Sequence, residues 1–398
     1  MVPTPYKRLM ALRQARLPLL GALIGRLPIA ALSLSTIIMV RHATGSFVIA
    51  GAVEASVTLA VAVSFPVQGR LVDRLGQTTV LVPVAALNPI ALGALVVAAQ
   101  DGAGLAVLAP IGAACGATIP ALSSCMRTLW ADLVPDDVLR QSAFALDAVL
   151  LEACFIVGPL ITGGLVALGS PSAAVLANAS FSAIGTLVFA ASRASRAWVG
   201  GPTVGHWTGP LRSPGVVILL FTEFGFGMAI GAMEISITAF ATQLGSPGLA
   251  GTLIAVQAAA SMAGGLWYGS REHRTRAGVR YPRLCLLIAL GFAPLVLIGS
   301  MASALPLMAL SGFAFAPAGA VLYLLIDELA PAGSATETST WMITAVVVGV
   351  AAGTAFGGAV VSGGHSTRGF AAAALAATLS WLVAFGGRRV LAGAPEPA

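Results

Sequence analysis

The chain of 398 residues is 58% hydrophobic and only 9% charged, with a formal net charge of +6 and a mean hydropathy of +0.94. A soluble domain carries about 25% charged residues to meet water, so a soluble enzyme, a nucleic-acid-binding protein and a disordered chain are excluded. What remains is an all-α protein embedded in the lipid bilayer, and the surplus of basic over acidic residues must be read by position.

A bilayer core is crossed by about 20 consecutive apolar residues in a helix. That length predicts six spans in the first half, at about 18–40, 46–68, 79–99, 104–126, 140–166 and 171–192. Six more follow at about 214–238, 247–268, 282–300, 303–325, 335–361 and 368–387. Turn chemistry separates them, as in Ala43-Thr44-Gly45-Ser46, Asp101-Gly102-Ala103-Gly104 and Gly245-Ser246-Pro247-Gly248. The runs are long and lack the two-residue alternation of a membrane β-barrel. The first is too long for a cleaved leader and is read as a transmembrane helix.

Basic residues orient such a chain, because Lys and Arg gather on the cytoplasmic side. Eighteen of the 21 fall on one face: Lys7, Arg8, Arg13, Arg16, Arg70, Arg74, Arg127, Arg140, Arg193, Arg196, Arg212, Arg271, Arg274, Arg276, Arg280, Arg283, Arg388 and Arg389. Arg41 and Arg368 lie on the other face, and Arg26 lies inside the first span. This split predicts a multi-pass protein of the cell membrane with both termini cytoplasmic.

The longest polar connection, Ser192 to Ser213, carries Gly200, Gly201, Pro202, Gly209 and Pro210 and reads as a linker. It divides the chain into a six-span unit at 1–192, a linker at 193–213 and a second six-span unit at 214–398. The units match at an offset of about 196: Val67-Gln68-Gly69-Arg70-Leu71 stands opposite Ala263-Gly264-Gly265-Leu266-Trp267, and Trp130-Ala131-Asp132-Leu133-Val134-Pro135 opposite Ile326-Asp327-Glu328-Leu329-Ala330-Pro331. Two matches at one offset predict two pseudo-symmetric six-helix bundles.

Gly69-Arg70-Leu71-Val72-Asp73-Arg74-Leu75-Gly76, after the second span, resembles the Gly-x-Leu-x-Asp-Arg-x-Gly signature of the major facilitator superfamily. Signature, position and the 6+6 plan together extend the resemblance over nearly the whole chain. Gly158-Pro159-Leu160-Ile161-Thr162-Gly163-Gly164 is similar to the helix-5 motif of the superfamily's proton antiporters, with three residues between the pairs where two are usual. Gln77-Thr78-Thr79 stands where the first signature usually continues with basic residues, and 104–126 lacks the arginine common in helix 4. The resemblance implies a conformational latch of Gly69, Asp73, Arg74 and Gly76, in which Asp73 meets the start of helix 11 near Ser334-Ala335-Thr336. A carboxylate suits a helix N-terminus, where the dipole is positive.

Six ionisable residues fall inside the predicted spans: Arg26, Glu54, Asp147, Glu152, Glu223 and Glu234. A charge at the bilayer centre costs at least about 2.5–3.5 kcal/mol, so such residues mark function. Glu152 falls near mid-depth; Arg26 and Glu223 lie toward the cytoplasmic side and Glu54 toward the other, while Asp147 and Glu234 are placed nearer the surfaces. Arg26 requires a partner, expected among Glu152, Glu54 and Glu223. Glu223 and Glu234 share one helical face, being eleven residues apart, whereas Asp147 and Glu152 diverge.

Cys115, Cys125, Cys154 and Cys285 have no CxxC spacing, and His42, His206, His273 and His365 fall near loops. No phosphate loop, zinc motif or nucleophile elbow is present, so neither a cofactor, a metal site nor catalytic residues are expected. The resemblance implies a monomeric secondary transporter exporting small, largely apolar or amphipathic molecules by alternating access, with protons as coupling ion. An uptake symporter or facilitator for a sugar, amino acid or peptide is the alternative.

Overall fold

The computed structural model describes residues 4–168, 170–199, 209–244, 249–273, 275–361 and 366–393. The centre of the linker, including Gly200, Gly201, Pro202 and His206, lies outside the described residues, as do the turn at 245–248, Arg274 and His365. Every regular element among the described residues is helical, and twelve spans are long and apolar enough to cross a membrane. Spans 1 to 6 are Arg13–Thr44, Ile49–Leu75, Gln77–Gln100, Leu105–Leu133, Leu139–Ala167 and Pro171–Ala191. Spans 7 to 12 are Pro214–Gln243, Leu249–Gly269, Ala277–Leu297, Met301–Leu329, Ala335–Val361 and Ser366–Gly386. They form two pseudo-symmetric bundles of six. The even span number brings the start of span 1 and the end of span 12 to one face, the one richer in basic residues.

Local chemistry sets the ends and bends of these helices. Ser46 Oγ accepts from Ile49 N at 3.3 Å, Ser170 Oγ from Ala173 N at 3.2 Å, and Ser213 Oγ from Val216 N at 3.5 Å, each supplying an acceptor to an unpaired helix-start amide. Gly76 turns span 2 into span 3 with φ +87°, a conformation that side chains resist.

Three spans are broken, and neighbours repair the breaks. Span 1 breaks between Arg26 and Pro28, since proline has no N–H to continue the ladder. Span 4 breaks at Thr118–Ala121 around Pro120. There Gln68 of span 2 donates through Nε2 to the carbonyls of Ala117 (3.2 Å) and Ile119 (2.8 Å) and accepts from Ala121 N at 3.1 Å. The corresponding break in span 10, at Phe313–Ala314, is repaired by Ser261 of span 8, whose Oγ accepts from Ala316 N at 3.1 Å. Freed backbone groups at membrane depth need such protein partners because lipid offers none.

Within the bundles, spans 2 and 4, 1 and 6, 7 and 11, and 7 and 12 pack along their lengths. Glycines set the closest approaches: a methyl on Gly227 would meet the backbone of Val346 and one on Gly353 that of Met228. The two halves touch through spans 2 and 11, 5 and 8, and 5 and 10.

Candidate functional site

Between the halves the structure assembles a buried charge cluster. Arg26, freed to turn inward at the break in span 1, donates from Nη1 to Asp147 Oδ1 of span 5 at 2.8 Å and from Nη2 to the Ser123 carbonyl at 3.4 Å. Arg26 is 3% exposed and Asp147 0%, so neither charge is hydrated and each needs the other. The second carboxylate oxygen of Asp147 lies 3.6 Å from Arg127 Nε of span 4. Arg127 stacks its guanidinium 3.5 Å from the ring centre of Tyr323, on span 10 of the opposite half. Glu223 of span 7 accepts from the Tyr281 hydroxyl at 2.6 Å and lies within electrostatic reach of Arg127.

This geometry corrects two expectations, on the partner of Arg26 and on the place of Arg127. The partner of Arg26 is Asp147, not Glu152, Glu54 or Glu223. Asp147, expected nearer a membrane surface by depth, is closed off from solvent because spans 1, 4 and 10 enclose that part of span 5 in protein. Arg127 is no loop residue: span 4 continues to Leu133, where its basic end packs between neighbours. The absence of Gly or Pro from Leu122 to Leu133 was the available sign that the helix runs on.

The other carboxylates stand apart from this cluster. Glu152 is half-buried and accepts from Ser261 Oγ at 2.7 Å, a bond between the halves at mid-depth. Ser261 thereby joins Glu152 to the repaired break in span 10. Glu54 is half-buried beside Ser33 of span 1. Glu234 is exposed. On span 7 it occupies the same face as Glu223, between Gly227 and Gly231, which pack on span 11, and Phe226, which meets Phe315 of span 10 at 5.0 Å. Of the helix-5 motif, Gly158 lies against the Leu27 carbonyl at the break in span 1, while Gly163 and Gly164 are exposed and a methyl on either would meet nothing. Pro159 is half-buried within span 5.

Toward the basic face the halves are bonded together at spans 2 and 11, at spans 5 and 8, and at spans 5 and 10. At spans 2 and 11, Asp73 accepts from Thr336 N at 3.2 Å through Oδ1 and from Glu337 N at 2.8 Å through Oδ2. Gly69 allows the contact, since a methyl there would press on Glu337 Cα at 2.8 Å. Arg70 lies 3.8 Å from Glu337, and Arg74 is exposed. At spans 5 and 8, Ser142 Oγ donates to the Gly269 carbonyl at 2.7 Å. Arg280 Nη1 donates to Gln141 Oε1 at 2.7 Å, which turns Gln141 Nε2 to His273 Nδ1 at 2.6 Å. Burial and then the Arg280 charge hold His273 below its ordinary pKa. Tyr6, on the short helix Thr4–Ala11, donates to the carbonyls of Gly265 (3.3 Å) and Leu266 (3.2 Å), and burial pushes its hydroxyl up to about 12. Arg140 lies 3.3 Å from Asp327 across the halves and also contacts Asp137.

The family model described as Major Facilitator Superfamily matches residues 19–354. The chain belongs to the Major Facilitator Superfamily. Solved superfamily structures share its fold. A human organic anion transporter (TETRAN) superposes with a TM-score of 0.70 at 15% identity, covering 96% of this chain and 100% of that one. A bacterial homologue of the iron transporter ferroportin, in an outward-facing state, gives 0.75 at 14% identity, with 94% and 99% covered. The E. coli fucose:proton symporter gives 0.69 at 12% identity, with 94% and 99% covered. No curated protein matches this chain. Span 4 thus carries an arginine, Arg127, just past the stretch 104–126 in which none was found.

Proposed function

We propose that this superfamily transporter is a proton-coupled exporter of small, largely apolar or amphipathic organic molecules, standing here with its cytoplasmic side closed. Basic residues support the orientation: with Arg127 placed inside span 4, seventeen remain on the basic face against two on the other, so that face is cytoplasmic and both termini lie in the cytoplasm of a cell-membrane protein. The six-span units at 1–192 and 214–398 then rock about the cavity between them, with 193–213 as their cytoplasmic connection.

The observation that carries the coupling is the Glu152–Ser261 bond. Ser261 already accepts from Ala316 N, so its hydroxyl proton is free to be donated, and an ionised Glu152 accepts it. Protonation of Glu152 leaves one carboxyl oxygen able to accept from Ser261 but takes the charge out of that bond and so weakens it. Charge on Glu152 and closure across spans 5 and 8 are therefore linked. Glu54, Glu223 and Glu234 line or border the same space, and Arg26 with Asp147 forms its fixed charged base. Substrate enters from the cytoplasm when the latches part, and a proton taken up from outside replaces it.

The test uses protein reconstituted in liposomes bearing a proton gradient, screened with a panel of amphipathic compounds. Export predicts that compounds added on the cytoplasmic side collapse the gradient and that Glu152→Gln abolishes the effect. Collapse with substrate moving in the same direction as protons would establish the uptake alternative, and gradient-independent movement would exclude coupling.

A further inference from the structure

We propose that Tyr323 is a positioning residue whose ring holds the Arg127 guanidinium across the halves while the basic face is closed and releases it when that face opens. This rests on the exporter reading. The two side chains belong to opposite halves: Arg127 to span 4, Tyr323 to span 10. The guanidinium lies 3.5 Å from the ring centre, is 5% exposed, and has neither Nε nor Nη1 in any hydrogen bond. A buried arginine with two idle N–H-bearing atoms is expensive unless something else holds it, and here the aromatic face does. Asp147 Oδ2 is likewise without a hydrogen-bond partner although Arg127 Nε is only 3.6 Å away. Donor and acceptor thus face one another just beyond bonding distance while the ring occupies the guanidinium.

Tyr323 is itself braced from the first half, its ring meeting Phe144 of span 5 edge-on at 6.0 Å. A small gap bounded by Arg127, Phe144, Tyr323, Asp327 and Ser339 lies beside the contact, leaving room for the pair to part. Rotation of the second half away from the basic side must withdraw Tyr323 from Arg127, because no bond length can stretch to follow it. The groups around Asp147 are then Arg26 from span 1 and Arg127 from span 4, with Cys154 on its own helix. Released, Arg127 needs to move only a few tenths of an ångström to bond Asp147 Oδ2. A second arginine then shares that carboxylate with Arg26, which ties the position of the Arg127 side chain to the state of the gate. The ring therefore makes the state of the gate legible to the carboxylate.

The experiment measures the closed-to-open ratio of the basic face, without substrate or gradient, by electron–electron distance measurement in nanodiscs between spin labels at Leu75→Cys and Arg276→Cys, both exposed positions. Tyr323→Leu is expected to lower the ratio about fivefold, Tyr323→Phe to leave it within about twofold, and Tyr323→Trp to raise it. In an Arg127→Gln background, Tyr323→Leu should change nothing further. Equal effects of Leu and Phe, or an undiminished effect of Leu without Arg127, would overturn the proposal. Should Tyr323→Leu fail to fold, the ordering of Phe below Trp carries the test. Transport failure alone, with this ordering intact, would instead remove the exporter reading.

Discussion

The two latches of the basic face occupy equivalent places in the duplicated frame but close by different chemistry. Gly69 corresponds to Gly265 at the offset of 196, and both allow close helix approach: a methyl on Gly265 would press on Val149 and on Ala316 Cβ at 2.8 Å. Four residues on, Asp73 corresponds to Gly269. At spans 2 and 11 a carboxylate therefore binds the amides of a helix N-terminus, where dipole and hydrogen bonds act together. At spans 5 and 8 the polarity is reversed, and side-chain donors Ser142 and Tyr6 bind carbonyls at a helix C-terminal end. Duplication preserved the close packing and left the helix-terminus carboxylate on one side only. One latch rests on that carboxylate; the other is spread over several side-chain bonds, Arg280 among their donors, and recruits a helix from outside the bundle.

Four experiments would break or sharpen this contrast, each reading the closed-to-open ratio of the basic face by thiol accessibility or spin-label distances. Asp73→Ala has the largest expected effect. It orphans two buried amides and removes the dipole partner, costing about 2–3 kcal/mol and opening the face by more than tenfold; a smaller change than that of Ser142→Ala would reverse the ranking of the latches. Gly69→Ala comes next, at about 1–3 kcal/mol from overpacking against backbone, and Asp73→Ala added to it should cost little more because the same contact is already lost.

Acidification acts on the second latch. His273 Nδ1 is shared between Gln141 Nε2 (2.6 Å) and the Arg271 carbonyl (3.0 Å), while burial and then the Arg280 charge disfavour the protonated ring. The closed state lowers this histidine's pKa, so it binds fewer protons there than the open state. Its contribution to closure is complete above the ordinary histidine value of about 6.5 and fades as pH falls below that value. Titrating the ratio from pH 8 to 5 should show opening that disappears in His273→Asn; an unchanged profile would rule His273 out. Tyr6→Phe is expected to be smallest, near 0.5–1 kcal/mol, since it removes long hydrogen bonds and leaves the packed ring. An effect matching that of Asp73→Ala would mean that the short N-terminal helix, not the signature loop, dominates closure.

Composition and apolar run length determined that the chain crosses a membrane twelve times, and internal correspondence at one offset determined that it is built twice. Both follow from the sequence because burial in lipid is an averaged property of a continuous stretch. The loop signature likewise named Asp73 and Gly69, whose roles depend on local turn geometry and on the start of one later helix. Pairings inside the protein were another matter. Arg26 and Asp147 are 121 residues apart, and counting depth along a helix cannot tell which neighbour a side chain faces. Arg127 was hidden one residue beyond a boundary drawn by hydropathy, because a helix end packed among other spans tolerates polar residues that lipid would reject. Glu223 and Glu234 share a face, yet one is buried against Tyr281 and the other exposed. Helix rotation and the closure of one end of the bundle separate them. Which charges meet, and which face the cavity, was decided only when twelve similar apolar helices chose their neighbours.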